Sequence, residues 1–195
     1  MTKIKTSIAA LFLTSTMMTT IHAADITIST AGQTGVPKVY ISGEINSGDE
    51  KKFAQILLYT ANNARTFLYL DSIGGDLSAG LAIAYKVREN PRIETVVYNN
   101  RCASMCALIW LASNVRWATS DSRVGFHAMQ FTEAKDNCSV SPGGNAVIGA
   151  FLARGGFSDT TIRRLTETEP KSMFWLTTAK AKELGIEAKT ITTRQ

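Results

Sequence analysis

Residues 66–76 read TFLYLDSIGGD, and this stretch decides how the chain is built. Its first six residues form a nearly continuous apolar run, which suits a strand covered on both faces, as in a parallel sheet. Ser72-Ile73-Gly74-Gly75 breaks that strand, because two adjacent glycines let the backbone turn sharply. Leu77, Leu81, Ala84 and Val87 follow at helical spacing, and the helix ends near Pro91.

The same alternation extends in both directions. Upstream, KVYISGEI (38–45) reads as a strand. Ser47 followed by Glu50 is a capping-box pattern, and Phe53, Ile56, Leu57 and Thr60 line one face, so the spacing predicts a helix over 48–63. Downstream, ETVVY (94–98) is the next strand, Ala103 to Ala112 reads as a buried helix, and Trp117 to Phe126 holds another short strand. Strand alternating with helix implies right-handed crossovers and an α/β domain with a mostly parallel sheet flanked by helices. A polar loop over 132–142 precedes a helix opened by Ser141-Pro142 and stopped after Arg154 by Gly155-Gly156. Ser158 caps another helix carrying Ile162 and Leu165, and Thr177 opens a last one that stops at Gly185.

The chain has 195 residues, 45% hydrophobic and 19% charged, which fits one globular domain. Its formal charge of +5 is scattered. No basic stripe interleaves with aromatics, so the footprint of a nucleic-acid binder is missing. Lys3 and Lys5, an apolar stretch from Ile8 to Met18, and small residues at Ala23-Ala24 have the layout of a secretory signal peptide. Cleavage is expected after Ala23, or after Ala24; the alternative is an uncleaved anchor. The expected division is a signal peptide over 1–23, a lead-in strand or loop over 24–37, and the domain over 38–195. An exported, periplasmic or secreted protein with no membrane association after cleavage follows from this layout.

Removing the leader lowers the charge to +3 and leaves His127 as the sole histidine, which excludes a metal site built from several histidines. Of the three cysteines, Cys102, Cys106 and Cys138, an oxidising compartment favours bridging one pair. The sequence leaves the pair open, and one possibility ties Cys102 or Cys106 to Cys138. The spacings make no two-by-two zinc pattern.

Three segments carry candidate chemistry, each where a strand gives way to a loop or helix, the edge at which open α/β sheets bind ligands. Gly74-Gly75 can turn backbone N–H groups toward an oxyanion, or can be a plain strand-to-helix turn. Ser104, among the small residues of RCASMC (101–106), opens an apolar helix; it is either a hydroxyl favoured by the helix N-terminus or an ordinary N-cap. His127 ends the segment Gly125-Phe126-His127, 23 residues beyond Ser104.

Taken in order, VYISGEI, DSIGGDLSAGLAI, CASMCALIW and GFH resemble the proteolytic subunit of Clp protease and its relatives in the crotonase-like superfamily. More narrowly, they resemble a group of exported Clp-like proteins with a Cys-Ala-Ser-x-Cys segment. The resemblance spans about residues 38–187. It implies a crotonase/Clp-protease-like fold of repeated strand–strand–helix and strand–helix–strand units. It also implies acyl transfer, with Ser104 as nucleophile, His127 as general base, and the N–H groups of Gly75 and Met105 as the oxyanion hole. A peptide or protein substrate, no cofactor, and self-association through residues 128–170 follow from it. The pattern departs at the third catalytic residue. The family's Asp falls on Met173, or on Ser172 with a one-residue shift. Ser172 and Glu169 are the candidates to replace it, with Glu167, Asp121 and Asp136 the other carboxylates. A backbone carbonyl is a further way to orient His127.

Two other readings compete with an ATP-independent serine peptidase. One is a catalytically weak or inactive Clp-like binding or assembly protein, which the missing Asp favours. The other is a crotonase-type acyl-CoA enzyme, which export disfavours because coenzyme A is cytosolic.

Overall fold

The computed structural model describes residues 23–30, 35–130 and 139–192. The proposed leader up to residue 22, Asp136 and Cys138 lie outside the described residues. The chain forms a mixed α/β fold with a central sheet. Its elements run β1 (Asp25–Ser29), β2 (Lys38–Ser42), α1 (Asp49–Leu58), β3 (Thr66–Asp71), α2 (Leu77–Glu89), β4 (Ile93–Val97), β5 (Arg101–Ala103), α3 (Met105–Ala112), β6 (Val115–Thr119), β7 (Arg123–Phe126), α4 (Pro142–Arg154), α5 (Asp159–Thr166), β8 (Phe174–Leu176), α6 (Thr178–Glu183) and β9 (Lys189–Ile191).

Two sheets result. The larger has the order β1-β2-β3-β4-β6-β9. Only the β1–β2 pair in it is antiparallel. The smaller has the order β5-β7-β8, with β5 parallel and β8 antiparallel to β7. Isolated bridges Ile45–Gly75 and Ser72–Cys102 continue the strands of the larger sheet toward the smaller one. Val39, Ile41, Leu68 and Leu70 point from β2 and β3 into the core, where they join Phe53 of α1, Ile83 and Val87 of α2, and every residue of α3. The full burial of α3 explains why its sequence is apolar all round.

Several local expectations change. β3 and α2 fall where the sequence puts them, with Asp76 capping α2 through Ala79 N–H at 2.7 Å. The capping box at Ser47 does not form. Gly48 is the N-cap, at φ 100, and makes no side-chain cap bond. The carboxylate that secures this turn is Asp49, wholly buried, which accepts the N–H of Asn46 at 2.8 Å. Helix α1 ends at Leu58, short of residue 63, in turns closed by Tyr59 and Thr60 N–H. The single strand expected over 117–126 is two strands, split at Ser120-Asp121 because β6 and β7 belong to different sheets. The helix expected from Ala103 starts at Met105, since Arg101–Ala103 is a strand. The lead-in segment contributes β1, paired along the whole of β2.

Candidate active site

Ser104 sits between β5 and α3 with φ 56 and ψ −123. A non-glycine residue at positive φ is uncommon, and such a conformation costs about 1–3 kcal/mol unless its surroundings impose it. Here they do. Ser104 N–H donates to Gly125 O at 2.8 Å, Ala103 N–H to Ser72 O at 3.0 Å, and Ser72 N–H to Arg101 O at 3.0 Å. Ser104 O accepts from Ala107 N–H at 3.0 Å, which starts the helix. Although Ser104 holds the N-cap position, its hydroxyl makes no cap bond. The ordinary-cap reading therefore does not describe this serine. A sharp strand-to-helix turn that projects a free hydroxyl is the geometry of a nucleophile elbow.

The elbow is closed by a disulfide. Cys102 and Cys106, both fully buried, are bonded with their Cα atoms 5.1 Å apart. The bond links the last part of β5 to the first turn of α3 and encloses Ser104. The possible bridge from either cysteine to Cys138 is thus replaced by one between the two flanking cysteines.

The glycine turn lies directly against this elbow. Gly74 and Gly75 have φ 97 and 142. A Cβ on Gly74 would stand 2.7 Å from Ser104 Cβ and 2.9 Å from Met105 N. A Cβ on Gly75 would collide with Ile45 O. The turn is fixed by Gly74 N–H to Ser72 Oγ at 3.1 Å, Ile45 N–H to Gly74 O at 2.8 Å, and Asp76 N–H to Ile45 O at 2.8 Å. The bridge to Ile45 uses Gly74 O and Asp76 N–H, so Gly75 N–H takes no part in it. Met105 N–H is at the first position of α3, where helix donors lack intrahelical acceptors. Met105 thus adjoins Ser104 in the chain, and Gly75 follows the glycine that packs against it. Gly74, named with Gly75 for the turn, has a further part that spacing does not show: its missing side chain lets the turn approach the serine.

His127 leaves the end of β7, next to β5, with Ala103 opposite Gly125. Ser104 and His127 therefore exit neighbouring parallel strands at the same end. His127 Nδ1 lies 2.7 Å from Ala128 O. A carbonyl only accepts, so Nδ1 carries the proton and Nε2 of the neutral ring keeps its lone pair. Ala128 is itself held by its N–H to Thr168 O at 2.7 Å. The Ser104 hydroxyl and the ring share no hydrogen bond in this structure; such contacts are often long in unliganded sites.

Neither candidate third residue orients the ring. Ser172 is exposed and gives its N–H to Glu169 O at 2.8 Å, and the Glu169 side chain is exposed. Glu167 pairs with Arg164, and Asp121 precedes β7, at the other end of the strand from His127. The position opposite His127 is Met173, one step beyond the Phe126–Phe174 pair of β7 and β8. Its side chain covers Gly125, where a Cβ would meet Met173 Sδ at 2.7 Å. A cavity of about 1110 Å³ lies elsewhere, lined by Trp110, Arg116, Arg123, Lys182 and Lys189 among others, with neither Ser104 nor His127. Among the described residues, no group of three His, Cys, Asp or Glu side chains could hold a metal ion.

The model of the Clp protease family matches residues 34–194. Among solved structures, a mutant of ClpP1 from Listeria monocytogenes superposes with a TM-score of 0.62 at 24% identity, covering 80% of this chain and 92% of that one. A mutant of the 1510-N membrane-bound stomatin-specific protease gives 0.60 at 18% identity, covering 78% of this chain and 77% of that one. At these identities the two structures establish a shared fold.

The bridge around Ser104 closes a small loop, with its cysteines four positions apart, and loops of that size contribute about 2 kcal/mol by the chain-entropy estimate. Reduction, or replacing both cysteines by alanine, is expected to lower the melting temperature by about 4–8 °C. Calorimetry with and without a dithiol reductant checks this; a reductant effect that survives in the double-alanine variant would assign the loss to another cause.

Proposed function

The chain belongs to the Clp protease family, and from that premise we propose that it is an exported serine peptidase working by acyl transfer at Ser104. The observation that carries the proposal is the Ser104 elbow: positive φ, uncapped hydroxyl, and Gly74 in contact behind it. In this reading His127 Nε2 takes the Ser104 proton as Oγ attacks the substrate carbonyl. The charge developing on that oxygen is held by the N–H groups of Gly75 and Met105. The imidazolium then protonates the departing amine, and water reverses the steps to release the acid. The N-terminus of α3 adds a favourable field for the developing negative charge.

Ala128 O replaces the family's third carboxylate in part. It holds the ring in the Nδ1–H tautomer, which is the correct one for a base acting through Nε2. A neutral carbonyl stabilises the imidazolium less than a carboxylate does, so a slow enzyme is the expected consequence. The leader layout and the buried disulfide both support an oxidising compartment outside the cytosol. ATP is absent there, so peptides or loosely folded segments are the proposed substrates. Self-association through residues 128–170, which contain α4, is part of the proposal.

Met173 opposite His127 and the unformed serine–histidine hydrogen bond favour one second reading, a family member kept as a binding or assembly module. A fluorophosphonate probe separates the two. The mature protein is expected to be labelled on Ser104 and the Ser104→Ala protein not at all; no labelling of folded protein by a range of serine probes would sink the enzyme reading.

Loss of correct tautomer control costs other triads about 10⁴ in rate, and here only the charge is missing. Met173→Asp puts a carboxylate opposite His127. It is expected to raise the labelling rate at least 10-fold, as followed by a time course at fixed probe concentration. An unchanged rate in a folded variant would mean that the ring is not the base.

A further inference from the structure

Outside the site, Asp49 at the start of α1 is the one wholly buried carboxylate among the described residues. Its Oδ2 accepts two backbone N–H groups, from Asn46 at 2.8 Å and from Ala24 at 3.0 Å. Its Oδ1 takes Lys52 Nζ at 3.0 Å, but the lysine side chain is half exposed. Ala24 is only 2% exposed and belongs to the main core. Ala23, one residue earlier, is exposed. The chain thus changes from outside to inside at one peptide bond, and the nitrogen on the inner side faces a buried carboxylate. That bond is the first of the two expected leader-cleavage positions.

We propose that the new N-terminus at Ala24 docks on Asp49 as a buried ion pair, so that leader removal completes the catalytic site. The inference rests on the exported-peptidase reading above. A leader peptidase adds water across the Ala23–Ala24 bond; Ala23 leaves as a carboxylate and Ala24 becomes an ammonium. The cut precedes folding, because the folded chain buries Ala24. The N–H contact to the carboxylate, in which only the acceptor is charged, then becomes an ion pair with both partners charged. It supplies Asp49 with a buried cation, which the solvated Lys52 does not.

The effect reaches the active site over a short path. Asp49 holds Asn46 N–H, and the adjoining residue, Ile45, is bonded on both sides to the glycine turn, through its N–H to Gly74 O and its carbonyl to Asp76 N–H. Gly75 packs so closely on Ile45 that no side chain fits between them. Firmer anchoring of residues 45–49 therefore fixes the turn that carries the proposed oxyanion amide. The bland reading of Asp49, a carboxylate that only secures a turn, accounts for Asn46 but not for burying Ala24 N against the same oxygen.

The test compares three forms of the mature protein: one starting at Ala24, one starting at Ala23, and one starting at Ala24 with an acetylated N-terminus. Each is made with Asp49 and with Asp49→Asn, and each is measured for melting temperature and for fluorophosphonate labelling of Ser104. The free Ala24 form is expected to melt several degrees higher and to label at least 10-fold faster than the other two. Asp49→Asn is expected to remove that advantage. The mass of the protein recovered from the periplasm is expected to correspond to a start at Ala24. Equal melting and labelling across the three N-termini, or a natural start at Asp25, would overturn the proposal. If no form is labelled, the peptidase reading fails while the melting comparison still reads the docking. If Asp49→Asn does not fold, the acetylated form still decides.

Discussion

One backbone torsion organises this molecule: the positive φ of Ser104. A serine cannot hold that conformation alone, so the neighbouring strands, the glycine turn and the disulfide are all arranged around it. Gly125 accepts its N–H, Ser72 supports the residue before it, and Cys102–Cys106 joins the strand to the helix across it. The close approach of Gly74 is possible only without a side chain. These constraints come from three separate stretches of the chain. The strain at one residue is thus a measure of how many elements agree on its position.

The small sheet explains why those stretches meet. The strands of the larger sheet are continued by single bridges at Gly75 and Cys102, and β5 and β7 then pair in parallel. The glycine turn, Ser104 and His127 fall in adjacent rows at one edge. The fold brings the glycine turn, Ser104 and His127 to one edge through backbone pairing rather than through side-chain contacts. That is a rigid way to hold a site. It also leaves side chains such as Met173 free to change without moving the backbone beneath them.

The sequence was informative where a local rule and the long-range packing agree. TFLYLD forms the strand that its apolar run predicts, although its two faces are not equally covered: Thr66, Leu68 and Leu70 are buried, whereas Phe67 and Tyr69 are half-buried; Asp76 and Ser158 cap the helices that follow them. It was less informative where a long-range partner overrides the local pattern. Ser47 and Glu50 have capping-box spacing, but the buried Asp49 between them takes over the turn, and Gly48 adopts the conformation that follows. Residues 117–126 look like one strand because nothing local records that β6 and β7 join different sheets. β9 is three residues long and only partly buried, so it lacks a pattern to find. At the candidate site, the order of segments is what singles out Gly75, Ser104, Met105 and His127. The role of Gly74 and the choice between Cys106 and Cys138 depend on distances that spacing does not encode.

The orientation of His127 shows how a departure from a family pattern is absorbed. Losing a carboxylate opposite the ring would leave Nδ1 without an acceptor, and a half-buried N–H without a partner is costly. The chain meets that need with its own next carbonyl, held still by the bond from Ala128 N–H to Thr168 O. What the carbonyl supplies is direction; what it lacks is charge. In the proposed mechanism, tautomer control and stabilisation of the protonated ring, usually combined in one carboxylate, are separated. Their separation makes this chain a system in which the electrostatic part can be restored at Met173 while the ring's position stays fixed by the backbone.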